Sequence, residues 1–232
     1  MKKVNNSPSL FEYLDQFKLN KIFSEGLKEK LSLYQFQNGE ILCSKGDEIH
    51  KMYFLVKGKV KIYTTSPEGK ALIVRFKTPL ALIGDVEYIK GMHVLHSVQA
   101  VSEGYVISVH YDDVRSMENN RVEFLHFLLQ VVTQKFYTES HATSLNRLYP
   151  VEIRLASYLL SLSSEKCGSI FHEEMSTSNL TEIADLIGTS YRHLNRVIHK
   201  LCEEGIIQRI KGSLYIKDLS RLRERAEGNI YE

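Results

Sequence analysis

The sequence predicts an α+β protein in which a domain of short antiparallel strands is followed by one long helix and a helical C-terminal domain. Three observations support this prediction: the glycine spacing of residues 36–109, the apolar stripe of residues 119–147, and a pair of short helices joined by a glycine turn near residue 188. We therefore divide the chain into residues 1–118, 119–147 and 148–232.

The N-terminal domain is predicted from short apolar runs separated by glycines. The run 59–63 places lysines on one face and apolar residues on the other, as a half-buried strand does. The strand candidates are residues 52–56, 60–64, 72–76 and 105–110. Short strands at this spacing predict a small antiparallel barrel or sandwich. Leucines at helical spacing in residues 1–35 predict helices ahead of it.

Apolar residues at helical spacing predict one long helix after Asn119 and Asn120. The predicted stripe contains Leu125, Leu128, Val132 and Phe136. The helix is longer than a small barrel needs, so it is either the seam of a homodimer or a lone helix lying on the barrel. Pro150 ends it, and a second helix is predicted over residues 151–162. The last residues, 218–232, are predicted to be a charged tail.

Residues 179–201 predict two helices joined by a tight turn. Asn179 is a suitable N-cap with Glu182 three residues later, and Gly188 ends the first helix. Thr189 or Ser190 caps the second helix, whose inner stripe is apolar and whose outer stripe carries cations and an amide. Such a pattern is typical of a helix-turn-helix that enters the major groove of DNA.

We predict that this second helix and a two-stranded wing after it bind a double-stranded DNA operator. The wing is predicted from strands at 205–210 and 214–216. Asparagine matches adenine edges and arginine matches guanine edges, whereas lysine and histidine suit phosphates. The predicted DNA contacts are Ser190, Tyr191, Arg192, Asn195, Arg196, His199, Lys200, Arg209 and Lys211. The alternative is a helical hairpin packed in a core, with these cations on an ordinary solvated face.

The composition limits the other classes of function. A net charge of +2 is too small to indicate nucleic-acid binding by itself. Three cysteines, Cys43, Cys167 and Cys202, are odd in number and widely spaced, which argues against a disulfide framework. No apolar run is long enough to span a membrane and the first residues lack the core of a signal peptide, so we expect a cytoplasmic protein. No catalytic constellation stands out, and we expect no enzyme.

The combination of these parts resembles the CRP/FNR family of bacterial transcription regulators. Gly46-Asp47, residues 53–60 and Gly69 resemble that family's effector-domain turns, and residues 188–197 resemble the entry to its recognition helix. Residues 190–194 are also similar to the YeiL-like subgroup. The resemblance covers nearly all of the chain. It implies a double-stranded β-helix or jelly roll of the cyclic-nucleotide-binding type, a dimerisation helix and a winged helix-turn-helix. It also implies a homodimer that contacts RNA polymerase.

The resemblance places an effector pocket at Gly84, Asp85, His96 and Ser97. Cyclic-nucleotide binders of the family carry Gly-Glu there, followed about eleven residues later by an arginine that pairs with the cyclic phosphate. Here Gly84-Asp85 stands in for Gly-Glu, and residues 91–100 contain no arginine. We therefore expect an effector other than cyclic AMP. The sequence leaves its identity open and assigns no cofactor.

Other family members bind haem or iron–sulfur clusters, which directs attention to His93, His96 and the cysteines. On a strand or loop, a spacing of three residues does not bring two imidazoles to one ion, so we predict surface histidines and no metal site. The scattered cysteines do not supply a cluster from one chain. Cys43 is either a packed side chain or a thiol sensor.

The sequence therefore predicts a DNA-binding transcription regulator of the CRP/FNR type. Its mechanism would be a two-state reorientation of the DNA-binding domains about the long helix and a hinge near Pro150. The alternative from another class is a sensor of the cyclic-nucleotide-binding type whose C-terminal helices bind protein. Salt distinguishes the two, because binding to DNA phosphates weakens steeply as salt rises.

Overall fold

The computed structural model describes residues 1–4, 7–65, 71–162, 180–210 and 213–227. The chain forms two compact units, Met1–Lys135 and Phe136–Glu232. They divide inside the long helix rather than at one of its ends, so the three-domain boundaries above stay a prediction. Among the described residues, no helix has both the length and the apolar character needed to cross a membrane.

The described residues of the first unit form nine strands and the short helices that cover them. The strands β1–β9 are Lys2–Val4, Ser32–Phe36, Ile41–Cys43, Lys51–Lys57, Val60–Thr65, Ala71–Lys77, Ala81–Ile83, Ser97–Ala100 and Gly104–His110. The helices α1–α4 are Ser7–Gln16, Glu25–Lys28, Asp85–Lys90 and Tyr111–Met117, with a 3-10 turn at Leu19–Lys21. The four predicted strands correspond to β4, β5, β6 and β9, which confirms them.

The strands form two antiparallel sheets, in the order β1-β2-β9-β4-β7 and β3-β8-β5-β6. One apolar core lies between the sheets and contains Phe36, Leu55, Val98 and Val106. A second core lies on the other face of the five-stranded sheet, where Met52 and Phe54 of β4 pack against helices. The predicted β-sandwich is therefore confirmed, with the difference that one of its sheets is buried on both faces.

The long helix α5 spans Val122–Leu148 and uses one of its faces to close the second core. Phe124 and Leu128 are buried there, and Phe127 and Val131 are partly buried beside them. The sequence places Leu128 on one stripe with Leu125 at a candidate dimer seam, and this part of the prediction is wrong, because Leu125 is exposed whereas Leu128 is buried. The side chain lies against the sandwich because residues at i and i+4 share a helix face, and Leu128 follows Phe124 at that spacing.

The opposite face of α5 carries exposed apolar side chains at a heptad spacing. These residues are Val122, Leu125, Leu129, Val132 and Phe136, at successive steps of three, four, three and four. Val122 is 75% exposed and Leu129 is 64% exposed, and Val132 is half-buried. Steps of three and four produce one continuous stripe along a helix, as in the seam of a coiled coil. We call this set the heptad stripe.

In the second unit, the part of the chain that the structure describes forms four further helices and a two-stranded ribbon. The helices α6–α9 are Val151–Leu162, Leu180–Leu186, Tyr191–Glu203 and Leu219–Arg225, and the strands β10 and β11 are Ile207–Ile210 and Ser213–Ile216. The helix predicted over residues 151–162 and the predicted helix pair are confirmed. The ribbon is antiparallel and pairs Gln208 with Tyr215, as the wing prediction requires.

The prediction of a charged tail after residue 218 is wrong, because α9 is a packed helix. Asp218 caps it by accepting a hydrogen bond from the backbone of Arg221 at 3.0 Å. Leu222 and Ala226 are fully buried at a spacing of four residues. Arg225 donates to Glu152 of α6 at 3.2 Å. The apolar stripe of α9 is narrow. Because arginines and glutamates lie between its residues, the segment reads as charged in the sequence.

Replacement of Leu222 by alanine tests the packing of α9. We expect Leu222→Ala to lower the free energy of unfolding by about 2–5 kcal/mol, because the side chain is fully buried and leaves a cavity. Arg223→Ala is the matched control: it changes the next, exposed residue of the same helix, and its effect should stay within about 0.5 kcal/mol. Urea unfolding followed by circular dichroism measures both, and equal stabilities would contradict the packing of α9.

Candidate nucleic-acid interface and effector pocket

The turn between α7 and α8 has the geometry of a helix-turn-helix. Gly188 adopts a φ of +68°, which a glycine reaches without strain. Ser190 caps α8, since its hydroxyl accepts a hydrogen bond from the backbone of His193 at 3.2 Å. Asn179, the predicted cap of the first helix, lies outside the described residues.

Helix α8 separates an apolar inner face from a polar outer face, as its sequence pattern predicts. Its buried side chains are Leu194, Val197, Ile198 and Leu201. The predicted DNA contacts Tyr191, Arg192, Arg196, His199 and Lys200 are exposed, and Asn195 is half-buried. The guanidinium groups of Arg192 and Arg196 are four residues apart and therefore lie on the same side of the helix.

Several of the predicted contacts are engaged with other residues of the same unit. Lys200 forms an ion pair with Glu152 of α6 at 2.6 Å. Arg209 of β10 donates a hydrogen bond from Nη1 to Oδ1 of Asn195 at 3.2 Å. Neither contact could be predicted from periodicity, because each partner lies on a different element. Lys211, the predicted cation of the wing turn, lies outside the described residues.

A buried arginine supports the helix-turn-helix turn from behind. Arg154 of α6 is only 8% exposed. Its Nη1 donates to the carbonyl oxygen of Ile187, and to that of Gly188 at 3.3 Å. It also reaches Oδ1 of Asn146, near the end of α5, at 3.5 Å. Carbonyl groups at a helix end lack partners within the helix, so the guanidinium satisfies groups that would otherwise lose hydrogen bonds on burial. The sequence analysis did not single out Arg154.

In the first unit, Gly84 joins β7 to α3, and Asp85 is the first residue of α3. Gly84 adopts a φ of +87°, and a Cβ atom there would approach the hydroxyl of Tyr111 to 2.7 Å. Tyr111 donates to the carbonyl oxygen of Gly84 at 2.6 Å. Burial raises the pKa of Tyr111, and the nearby Glu87 and Asp85 raise it further, so the hydroxyl stays a donor at neutral pH. The glycine is required by this close packing.

Asp85 is 1% exposed and is paired with a residue that the sequence analysis missed. Lys135 of α5 places Nζ 2.6 Å from Oδ1 of Asp85 and 2.8 Å from the carbonyl oxygen of Leu82. The predicted pocket residue is therefore engaged by the chain itself. Lys135 is 50 positions away, so nothing in the local sequence around Asp85 indicates it. We call this contact the Asp85–Lys135 pair.

The other predicted pocket residues lie near the start of β8, in the opposite sheet. Ser97 is buried and accepts a hydrogen bond from the backbone of Lys45 at 2.9 Å. His96 is half-buried, and His93 is exposed. Among the described residues, no group of three histidine, cysteine or acidic side chains is arranged to hold a metal ion. Ser97 thus has a structural partner that the sequence did not indicate.

Cys43 of β3 is a partly buried side chain packed against the inter-sheet core. Burial first, and then the nearby Glu87, raise the pKa of its thiol to about 12. The thiol therefore stays protonated at neutral pH, whereas thiol sensors act through the thiolate. Of the two interpretations of Cys43, the structure favours packing.

A buried cation that the sequence analysis overlooked lies on β6. Arg75 is 8% exposed and pairs across the strands with Ile62, which in turn pairs with Val98. Directly paired residues point to the same face of a sheet, and Val98 points into the inter-sheet core. Arg75 is therefore on the inner face. Its signal in the sequence is one arginine within the apolar run 72–76.

Two models of known protein families match successive parts of the chain. Residues 33–121 match the model described as "Cyclic nucleotide-binding domain", and residues 153–225 match the "Crp-like helix-turn-helix domain". The first match covers most of the sandwich, and the second runs from α6 through α9.

Relatives with similar sequences are transcription regulators. "Regulatory protein YeiL" from Escherichia coli O157:H7 is 27% identical over 82% of this chain and 83% of its own. The "CRP-like cAMP-activated global transcriptional regulator" of Mycobacterium tuberculosis H37Rv is 25% identical over 86% of this chain and 90% of its own.

Solved structures have the same fold. The structure of "a putative transcriptional regulator of the crp/fnr family" from Eubacterium rectale superposes with a TM-score of 0.76, at 14% identity, over 92% of this chain and 99% of its own. A CRP-family regulator from Thermus thermophilus gives 0.71 at 22% identity, over 85% and 98%. With a cyclic nucleotide-binding domain, a long helix and a Crp-like helix-turn-helix in this order, the chain belongs to the CRP/FNR family of transcriptional regulators.

Proposed function

We propose that this chain is a homodimeric, sequence-specific DNA-binding regulator of cytoplasmic location, and that its sandwich domain responds to an effector other than cyclic AMP. The observation that carries the proposal is the exposed cationic face of α8, displayed by a helix whose inner face is fully buried. A helical hairpin packed in a core would also leave these cations exposed, so the turn at Gly188, the cap at Ser190 and the antiparallel ribbon after α8 favour the helix-turn-helix over it.

In this proposal Arg192, Asn195 and Arg196 read base edges, while Ser190, Tyr191, His199 and the wing contact the backbone of the operator. Both arginines are exposed and start from the first two turns of α8, the part of a recognition helix that meets the bases. Lys200 is a weaker candidate than its sequence position indicates, because a phosphate would compete with Glu152 for its ammonium group. Lys211 keeps its predicted phosphate role.

Arginine substitutions test the proposed base readers. We expect Arg192→Ala and Arg196→Ala each to weaken operator binding by about 1–3 kcal/mol and to relax the preference at one base pair. Arg223→Ala is the control, since it removes the same charge from an exposed position on α9. Fluorescence anisotropy on operator and scrambled duplexes measures both effects over a range of salt. Equal losses on the two duplexes would show that the arginines do not read bases.

We further propose that the heptad stripe is the seam of a symmetric dimer. Its side chains are apolar and exposed, while the opposite face of α5 is used by the sandwich core. A two-fold dimer presents two recognition helices to half-sites about 34 Å apart, which is one turn of DNA. RNA polymerase remains a partner proposed from the family resemblance.

A charge placed in the heptad stripe tests the dimer. Leu129→Asp should convert the dimer to monomers, because it would bury a carboxylate at the seam while leaving the sandwich core intact. Gln130→Asp adds the same charge at the next exposed position, outside the stripe, and should stay dimeric. Sedimentation equilibrium measures both masses. A monomeric wild type that still binds its operator tightly would contradict the seam.

The effector proposal rests on the Asp85–Lys135 pair. In cyclic-nucleotide binders of the family a glutamate at this place accepts a ribose hydroxyl, whereas here the shorter carboxylate is buried and already holds an ammonium group. A ligand that uses Oδ1 of Asp85 must displace Lys135, whereas Oδ2 has no hydrogen-bond partner among the described residues. Because Lys135 is on α5, such a displacement would bias the position of the helix that carries the heptad stripe.

Calorimetry with cyclic AMP tests this proposal. We expect no micromolar binding at pH 7, and none near pH 6, where protonated His96 would have its best chance of pairing with the phosphate. Micromolar binding coupled to tighter operator binding would contradict the proposal. In that case the same titration of Arg75→Met tests whether the buried arginine of β6 binds the phosphate, because loss of cyclic AMP binding would assign the phosphate contact to it.

A further inference from the structure

A hydrogen bond joins Arg209 of the wing to Asn195 of α8, which is one of the proposed base readers. Asn195, Ile198 and Cys202 follow one another at steps of three and four on α8, so they form one stripe along the helix. Arg209 and Lys217 line a groove with Ile198 and Cys202. From this groove the guanidinium of Arg209 reaches Asn195, with Nη1 at 3.2 Å from Oδ1.

The chemistry of the two groups determines which way the amide of Asn195 points. A guanidinium has five N–H donors and no acceptor, so only the amide oxygen can face it. The NH2 group must then point away from Arg209. Asn195 is half-buried at the base of the outer face of α8, and this hydrogen bond opposes the rotation that would exchange its oxygen and nitrogen.

The orientation has a consequence for base recognition. A free asparagine pairs with adenine by accepting from N6 and donating to N7. With its oxygen held by Arg209, Asn195 presents donors, and the neighbouring guanidinium presents further donors. Guanine offers two acceptors, N7 and O6, in the major groove, whereas adenine offers one acceptor and one donor. The adenine amino group would therefore have to share the amide oxygen with Arg209, whereas both acceptors of guanine would face donors.

We propose that Arg209 is a positioning residue that fixes the amide of Asn195 as a donor, so that the base opposite Asn195 is selected as guanine over adenine. This inference rests on the proposed entry of α8 into the major groove. It differs from the phosphate-binding role that the sequence alone suggests for Arg209, because a phosphate contact would weaken every sequence equally.

The experiment compares two bases at one position of the operator. The full-length protein first selects an operator from a random pool of duplexes, and Asn195→Ala identifies the base pair whose preference depends on that side chain. The affinities for guanine and adenine at this position are then measured for wild type, for Arg209→Met and for Lys217→Met. Methionine keeps an apolar stem in the groove, and Lys217→Met removes a charge from the same groove without touching the amide.

We expect the wild type to prefer guanine by roughly 5- to 100-fold, the range of a specific pair of hydrogen bonds. In Arg209→Met the ratio should fall to about one or shift toward adenine as the amide is released. Lys217→Met should lower both affinities by one factor and leave the ratio unchanged. Adding Arg209→Met to Asn195→Ala should not change the ratio further.

Three results would overturn the inference. An unchanged ratio in Arg209→Met, with both affinities lowered equally, would assign Arg209 to phosphate. A wild type that prefers adenine would show that the bound amide still accepts from the base. An operator unaffected by Asn195→Ala would exclude the asparagine from base reading. A wild type that selects no sequence at all would instead contradict the proposed function itself.

Discussion

The Asp85–Lys135 pair is the interaction that determines how the long helix lies on the sandwich. Apolar contacts such as those of Phe124 and Leu128 attract the helix to the sheet but tolerate small shifts along its axis. A buried ion pair does not tolerate such shifts, because the folded state loses several kcal/mol of stability when the counter-ion of a buried carboxylate moves away. Lys135 also bonds the carbonyl oxygen of Leu82, at the strand just before Asp85. The pair therefore selects one register of α5, and everything that α5 displays depends on that register.

Helix α5 combines two apolar faces in one sequence, and this explains both its length and its weak amphipathic pattern. One face carries Phe124 and Leu128 into the second core, and the other carries Leu125 and Leu129 to the surface. Apolar residues on opposite sides partly cancel in any periodicity, so the sequence reveals a helix without revealing which leucine is buried. A difference of one position separates a core residue from a candidate interface residue.

Most elements could be predicted from the sequence because their signals are local. Alternation marks β5, an apolar run that ends before a glycine marks β4, the spacing of apolar residues marks α5, α6 and α8, and Gly188 with Ser190 marks the turn. The errors concern elements and contacts whose signals are not local. Strand β1 has only three residues and exists by pairing with β2, and α9 depends on burial of Leu222. Lys135 and Arg209 lie on other elements than their partners Asp85 and Asn195. The sequence therefore predicts residues of the candidate sites but not the contacts between them.

The hydrogen bonds of Arg154 determine which segment of this protein could be moved to another scaffold as a DNA-binding unit. The turn of the helix-turn-helix is not satisfied by its own two helices. The guanidinium of Arg154, on α6, donates hydrogen bonds to the carbonyl oxygens of Ile187 and Gly188. Residues 180–203 placed on another scaffold would bring those carbonyl groups without their donor, and each would lose a charge-assisted hydrogen bond. The smallest transferable reader therefore begins at α6, and a chimaera that respects this boundary keeps the angle between the two helices.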